Sequence, residues 1–127
     1  MEELRNTALP QQLQRQHEEA HAAQSELAVS LKDYRESIEM LWTRAMGDQT
    51  DPSAQAAAMV LLACHETNRW GLMLKDLCSL DYRLLKAGFT VLRGRLVQGL
   101  EPHTLIPNGS ERFKGLASKW GYLSLDS

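Results

Sequence analysis

One stretch constrains the fold before any other: the residues from Pro52 to about Thr67, apolar on nearly every side. Ala54, Ala57, Ala58, Leu61, Leu62 and His65 recur at helical spacing on one face, and Met59, Val60 and Ala63 make the opposite face apolar too. A helix hydrophobic all round belongs in the middle of a protein, so other helices must surround it. Its alanines let neighbouring backbones come close. Asp51 marks the start, because its carboxylate can accept free N–H groups of the first turn, and Pro52 suits a position whose N–H is unpaired anyway. Asn68-Arg69-Trp70-Gly71 ends it.

A chain of 127 residues is long enough for one domain with a real core. No apolar run approaches the roughly 18 residues of a membrane span, and Met1-Glu2-Glu3-Leu4-Arg5 is unlike a secretory signal. A cytoplasmic location without membrane contact is expected. Cys64 and Cys78 are too few for a disulfide framework and are expected to be reduced.

Upstream of the central helix, residues 1–10 read as a loose leader closed by Pro10. From Gln11 no Pro or Gly interrupts the chain before Gly47, which predicts one long N-terminal helix over 11–46. Leu27, Leu31, Tyr34, Ile38, Leu41 and Ala45 follow a 4-3-4-3-4 spacing, a heptad seam. Extended backwards, the register passes Gln24, Ala20, His17 and Leu13, so the stripe weakens. The seam from Leu27 is expected to pack on the core. Together with Leu13 it also forms the candidate helix-pairing surface for another chain, including a homodimer through the N-terminal helix.

Downstream, Leu72-Met73-Leu74 is short and extended, and Lys75 to Leu80 fits one helical turn. Asp81 caps a helix from Tyr82 to about Gln98, with Leu85, Gly88, Phe89, Leu92 and Leu96 expected inward and Leu84 and Val91 flanking. Gly99 stops it. Residues 100–107 form a turn with a brief strand at Thr104-Leu105-Ile106, which leaves room for one very short strand pair. Asn108 is the expected cap of a last helix that turns Phe113, Leu116, Ala117 and Trp120 inward. Gly121 closes that helix, and 122–127 is a tail. The prediction is an all-α fold: a small bundle of four main helices in a single domain over 11–121, with 52–121 as its compact core.

Charge is unevenly spread. Residues 1–51 carry 5 Lys/Arg against 10 Asp/Glu, and residues 52–127 carry 9 against 6, so the halves can attract one another. Neither half has the basic footprint usual for nucleic-acid binding. Arg83, Lys86, Thr90 and Arg93 form a basic stripe able to meet phosphates or an acidic protein face, although a solvated helix face is the plainer reading. His17-Glu18-Glu19-Ala20-His21 matches HExxH, which on a helix can hold zinc. It sits among Gln14, Arg15, Gln16 and Gln24, with no obvious third ligand, and reads as fortuitous. Cys64-His65 with Cys78 and His103 fits no zinc spacing. Glu101-Pro102-His103 places a carboxylate and an imidazole in one turn, a candidate polar loop site whose commoner role is to fix the loop. With no phosphate loop and no paired carboxylates, neither an enzyme, a cofactor nor a metal is expected.

Several residues along the second half carry a family resemblance. They are Gly47-Asp48-Gln49-Thr50, Val60-Leu61-Leu62, Asp76-Leu77, Leu80-Asp81, Val91-Leu92-Arg93, Glu101, His103, Asn108-Gly109, Phe113, Leu116-Ala117 and Trp120-Gly121. In this order the chain resembles an uncharacterised domain family of bacterial mobile-element proteins, those of integrative conjugative elements, plasmids and prophages. It departs from the family at Leu72-Met73-Leu74, where Phe-Asp-Leu is usual. The resemblance implies a helical fold and a mobile-element setting, and no activity. The expected function is a non-enzymatic interaction or accessory protein that binds another protein through a helical surface, with inhibition of a host defence system as one such role. A small DNA- or RNA-binding regulator using the basic stripe is the alternative, and a small hydrolase or metal-dependent enzyme the second.

Overall fold

The central helix of the bundle runs from Pro52 to His65 (α3), and its burial explains its composition. Ala54, Ala56, Ala57, Ala58, Val60, Leu61 and Leu62 are all fully buried. The computed structural model describes residues 2–126, with side chains from Gln11 onward. The other elements are α1 (Glu2–Leu27), α2 (Leu31–Ala45), α4 (Leu74–Cys78), α5 (Tyr82–Gln98) and α6 (Gly109–Lys119), with 3-10 turns at Pro102–Leu105 and Gly121–Leu123. The α2, α5 and α6 helices, α4 and the first 3-10 turn pack against α3, while α2 and α5 also pack on each other. All described elements are helical. No described helix is long and apolar enough to cross a membrane.

The capping signals work as their chemistry requires. Asp51 accepts the Ala54 N–H at 2.9 Å and holds both carboxylate oxygens against Arg44 at 2.6 and 2.7 Å. These two contacts, the backbone one first, keep the Asp51 carboxyl below the ordinary carboxylate range. Asp81 accepts the Leu84 N–H at 2.9 Å, and the left-handed Gly99 ends α5. The opposite charges of the two halves meet where Arg112 of α6 grips Glu39 of α2 at 2.6 and 2.7 Å. The Arg112 guanidinium also lies 4.3 Å over the Trp42 ring.

Three expectations about the elements are corrected. The single helix over 11–46 is two helices, because Ser30 accepts the Asp33 N–H at 3.1 Å and starts α2 afresh. Gln98 clamps the break: its amide accepts from Val29 N–H at 2.7 Å and donates to Val29 C=O at 3.1 Å. A side-chain oxygen three residues before an acidic residue is a helix-start signal, and Ser30-Leu31-Lys32-Asp33 supplies it. The backbone of Glu2–Pro10, read as a loose leader, is the first part of α1. The strand pair does not form among the described residues, since Thr104 and Leu105 belong to the first 3-10 turn. Asn108 stands at the N-cap of α6 as expected, in the left-handed conformation and without a side-chain bond, its C=O accepting the Arg112 N–H at 2.9 Å.

The setting of α5 about its own axis matters most for function. Leu84, Ala87, Gly88, Val91 and Gly94 are its buried residues; of the expected stripe Gly88 is inward, Leu85 and Leu92 pack at the edge of the core, and Phe89 and Leu96 turn outward. The cause is Tyr34. Its fully buried ring lies flat against Gly94, where a Cβ would collide with ring carbons, and its hydroxyl donates to Leu100 C=O at 2.8 Å. Close approach of α2 needs a small residue at Gly94, and with Ala87 and Gly88 also inside, Phe89 and Leu96 are left on the outer side.

Candidate functional site

Two places gather chemistry. The first is a groove of about 590 Å³ where α1 ends against α5. Leu27, Phe89, Leu92 and Leu96 line it, with Lys86 and Arg93 at its border. Phe89 is 49% exposed, Leu96 77% and Leu27 45%. The outer part of the stripe expected to be core, Phe89 and Leu96, is therefore an apolar surface flanked by two cations. Little anchors α1 beside it, apart from a long contact from Gln24 Nε2 to Val97 C=O at 3.4 Å.

The candidate helix-pairing residues separate accordingly. Tyr34, Ile38 and Leu41 are fully buried and closed to any partner, while Leu13, Leu27 and Leu31 stay exposed. Residues 11–28 are exposed throughout, and between Gln11 and Glu26 Leu13 is the one large aliphatic side chain. A helix polar all round does not make a strong pairing surface. His17 and His21 stand on this solvated helix, and Glu18 there accepts only a 3.3 Å contact from Gln14.

The basic stripe is real in spacing but mixed in surroundings. Arg83 and Lys86 look across a cleft at Asp33 and Glu36 of α2. Arg83 also borders a larger cleft of about 770 Å³ shared with Glu39 and Asp81. Thr90 spends its hydroxyl on Lys86 C=O at 3.0 Å. A phosphate approaching Arg83 would meet carboxylates on the way in, while Lys86 and Arg93 serve the apolar groove as much as the stripe.

The second place lies at the far end of α3. His65, on its last turn, meets His103 of the first 3-10 turn with ring centroids 4.8 Å apart at a steep angle, and Phe113 stacks 5.0 Å from His65. Donor atoms of His65, Glu101 and His103 all fall within 4.8 Å of one another, the only such grouping of three potential ligands among the described residues. Glu101 does not pair with His103 as the turn spacing suggested: its carboxylate faces Arg95 at 3.6 Å. Gly109 holds the turn in place, since its missing side chain lets the start of α6 lie against the His103 carbonyl. Burial first, then the neighbouring His103, pushes the His65 pKa below its ordinary value, so the ring is neutral near pH 7.

Cysteine chemistry is absent from this place. Cys64 is buried with its thiol pushed up to about 12 by desolvation, which keeps it protonated and unreactive, whereas Cys78 is exposed on α4. In the sequence His65 and His103, 38 positions apart, stand only in a set with Cys64 and Cys78 that fits no zinc spacing, and nothing there joins Glu101 to His65. Only the return of the chain from α5 through the 3-10 turn brings them together, and no local pattern encodes that.

No curated protein and no solved structure matches the chain. A family model does match residues 35–121, which run from within α2 to the residue after Trp120 and so take in the packed body and leave out α1. The chain therefore belongs to the Family of unknown function DUF7673.

Proposed function

We propose that this protein is a non-enzymatic interaction module that binds another protein through the groove between α1 and α5. The observation that carries this reading is the exposed set of Leu27 at the end of α1 with Phe89 and Leu96 on α5, framed by Lys86 and Arg93. Large apolar side chains on a surface with charged borders suit an amphipathic partner helix, which lays spaced apolar anchors into such a groove. The two cations favour acidic residues on the rim of that partner. Mixed charge around Arg83 supports a protein partner over the alternative of a nucleic acid. The resemblance read from the sequence adds a setting, the cytoplasm of a bacterium carrying a mobile element. Inhibition of a host defence system is one role that fits there. A homodimer through α1 is a weaker form of the same reading, given the polar faces of that helix.

The test compares the wild type with Phe89→Gln/Leu96→Gln as bait in affinity capture from the native host, read by mass spectrometry. The expected result is a protein enriched at least about tenfold on the wild type relative to the variant, as loss of two central anchors implies. An identical set of captured proteins on both baits would remove the groove as the binding surface. Light scattering of the wild type alone distinguishes the homodimer by its mass.

A further inference from the structure

We infer that His65, Glu101 and His103 form a binding site for a divalent transition-metal ion of the zinc class, which ties the 3-10 turn Pro102–Leu105 to the C-terminal end of α3. Three independent features of the place converge on a cation. The donor atoms of the three side chains lie within 4.8 Å of one another, although the residues come from two elements and the loop between them. All three are half-buried rather than solvated, unlike a chance surface cluster. Both imidazoles also carry a buried Nδ1 with no hydrogen-bond partner among the described residues. Buried polar atoms without partners are uncommon enough to require a cause, and one bound ion would account for two at once.

The donor set decides the class of ion. Two imidazoles and one carboxylate suit zinc and its first-row neighbours, whereas calcium and magnesium take oxygen ligands. Tetrahedral zinc with bonds of about 2.0–2.2 Å puts its ligand atoms about 3.3 Å apart. The three side chains must therefore close inward from their present spacing of up to 4.8 Å. The surroundings are built to permit it. Arg95 commits its Nε to Cys64 C=O at 3.0 Å, and its nearer contact to Glu101 is too long for a hydrogen bond at 3.6 Å. His65 Nε2 stands 3.8 Å from Glu66, which can orient the ring from outside as an outer partner does. His65 lines a shallow cleft with Arg69 and Phe113, through which the ion and a water for its fourth position can enter.

Zinc titration of the full chain by calorimetry tests this directly, with metal alone as the probe. One ion per chain is expected, and His65→Gln and His103→Gln should each weaken binding by at least about 10–100-fold, the loss seen even for outer partners of a metal site. Glu101→Gln should weaken it in the same direction. His17→Gln/His21→Gln, which removes the motif on α1, should leave the affinity unchanged. In the wild type, the ring resonances of His65 and His103 should shift in nitrogen-detected NMR at one equivalent of zinc while those of His17 and His21 stay in place, a readout independent of any variant's folding. No saturable binding, or binding that the α1 variant abolishes and His65→Gln retains, overturns the proposal. So does a shift confined to His17 and His21.

Discussion

Trp120→Ala is expected to lower the stability of the fold by about 3–5 kcal/mol, the range for emptying a large aromatic from a core. Trp120 is 1% exposed, and its indole N–H donates to Ala45 C=O at 3.1 Å. That carbonyl is one of the unpaired groups at the end of α2, and Lys119 Nζ reaches the same oxygen at 2.9 Å and Gly47 C=O at 2.7 Å. The end of α6 thus stops the end of α2, with a cation placed where the helix dipole favours one. The substitution removes both the packed ring and part of that cap. Urea denaturation should show a much lower midpoint with a similar slope, and Trp120→Phe should recover most of the loss while still lacking the hydrogen bond. A loss below about 1 kcal/mol for the alanine variant would mean that the ring is not packed as described.

Gly94→Ala is expected to destabilise by about 1–3 kcal/mol, the cost of overpacking, in spite of helix propensity. In an unconstrained helix the same change gains about 1 kcal/mol. Here the new methyl would meet carbons of the Tyr34 ring, and that ring is fully buried and tied to Leu100 through its hydroxyl. The ring cannot swing aside without losing the contact that positions α2 on α5. Gly115→Ala in α6 supplies the control, since its methyl would meet only the flexible end of Met46 at 3.9 Å. That variant should be neutral or slightly more stable. Equal and favourable effects at both positions would show that Tyr34 does not lie against Gly94.

These two residues mark how much could be read from the chain beforehand. Trp120 was legible, because an apolar stripe with Phe113 and Leu116 repeats at helical spacing and ends at a glycine. Asp51-Pro52, Asp81 and Gly99 were legible for the same reason: caps and stops act through nearby backbone atoms. Gly94 was not. Counting large apolar residues selects Leu85, Phe89, Leu92 and Leu96 as the inner face of α5, but the inner face is set by how closely Tyr34 can approach, and closeness favours glycine and alanine. The break at Ser30 had a local signal in Ser30 and Asp33, overshadowed by a heptad seam that continued through it. Its second cause, the Gln98 clamp on Val29, acts from 69 residues away. The meeting of His65 with Glu101 and His103 is likewise a product of the tertiary path. The family's residues 35–121 hold both the legible and the illegible positions of the packed body, while α1 lies outside.

The orientation of α5 decides the surface, because it puts Phe89 and Leu96, two residues of the expected core stripe, in an exposed groove. The unfolding free energy of Phe89→Gln/Leu96→Gln measures that orientation directly. With Phe89 half exposed and Leu96 mostly so, little burial is lost, and the predicted decrease is no more than about 1–2 kcal/mol. A decrease above about 5 kcal/mol, the sum expected for two polar substitutions in a packed core, would place the stripe inside and contradict the groove.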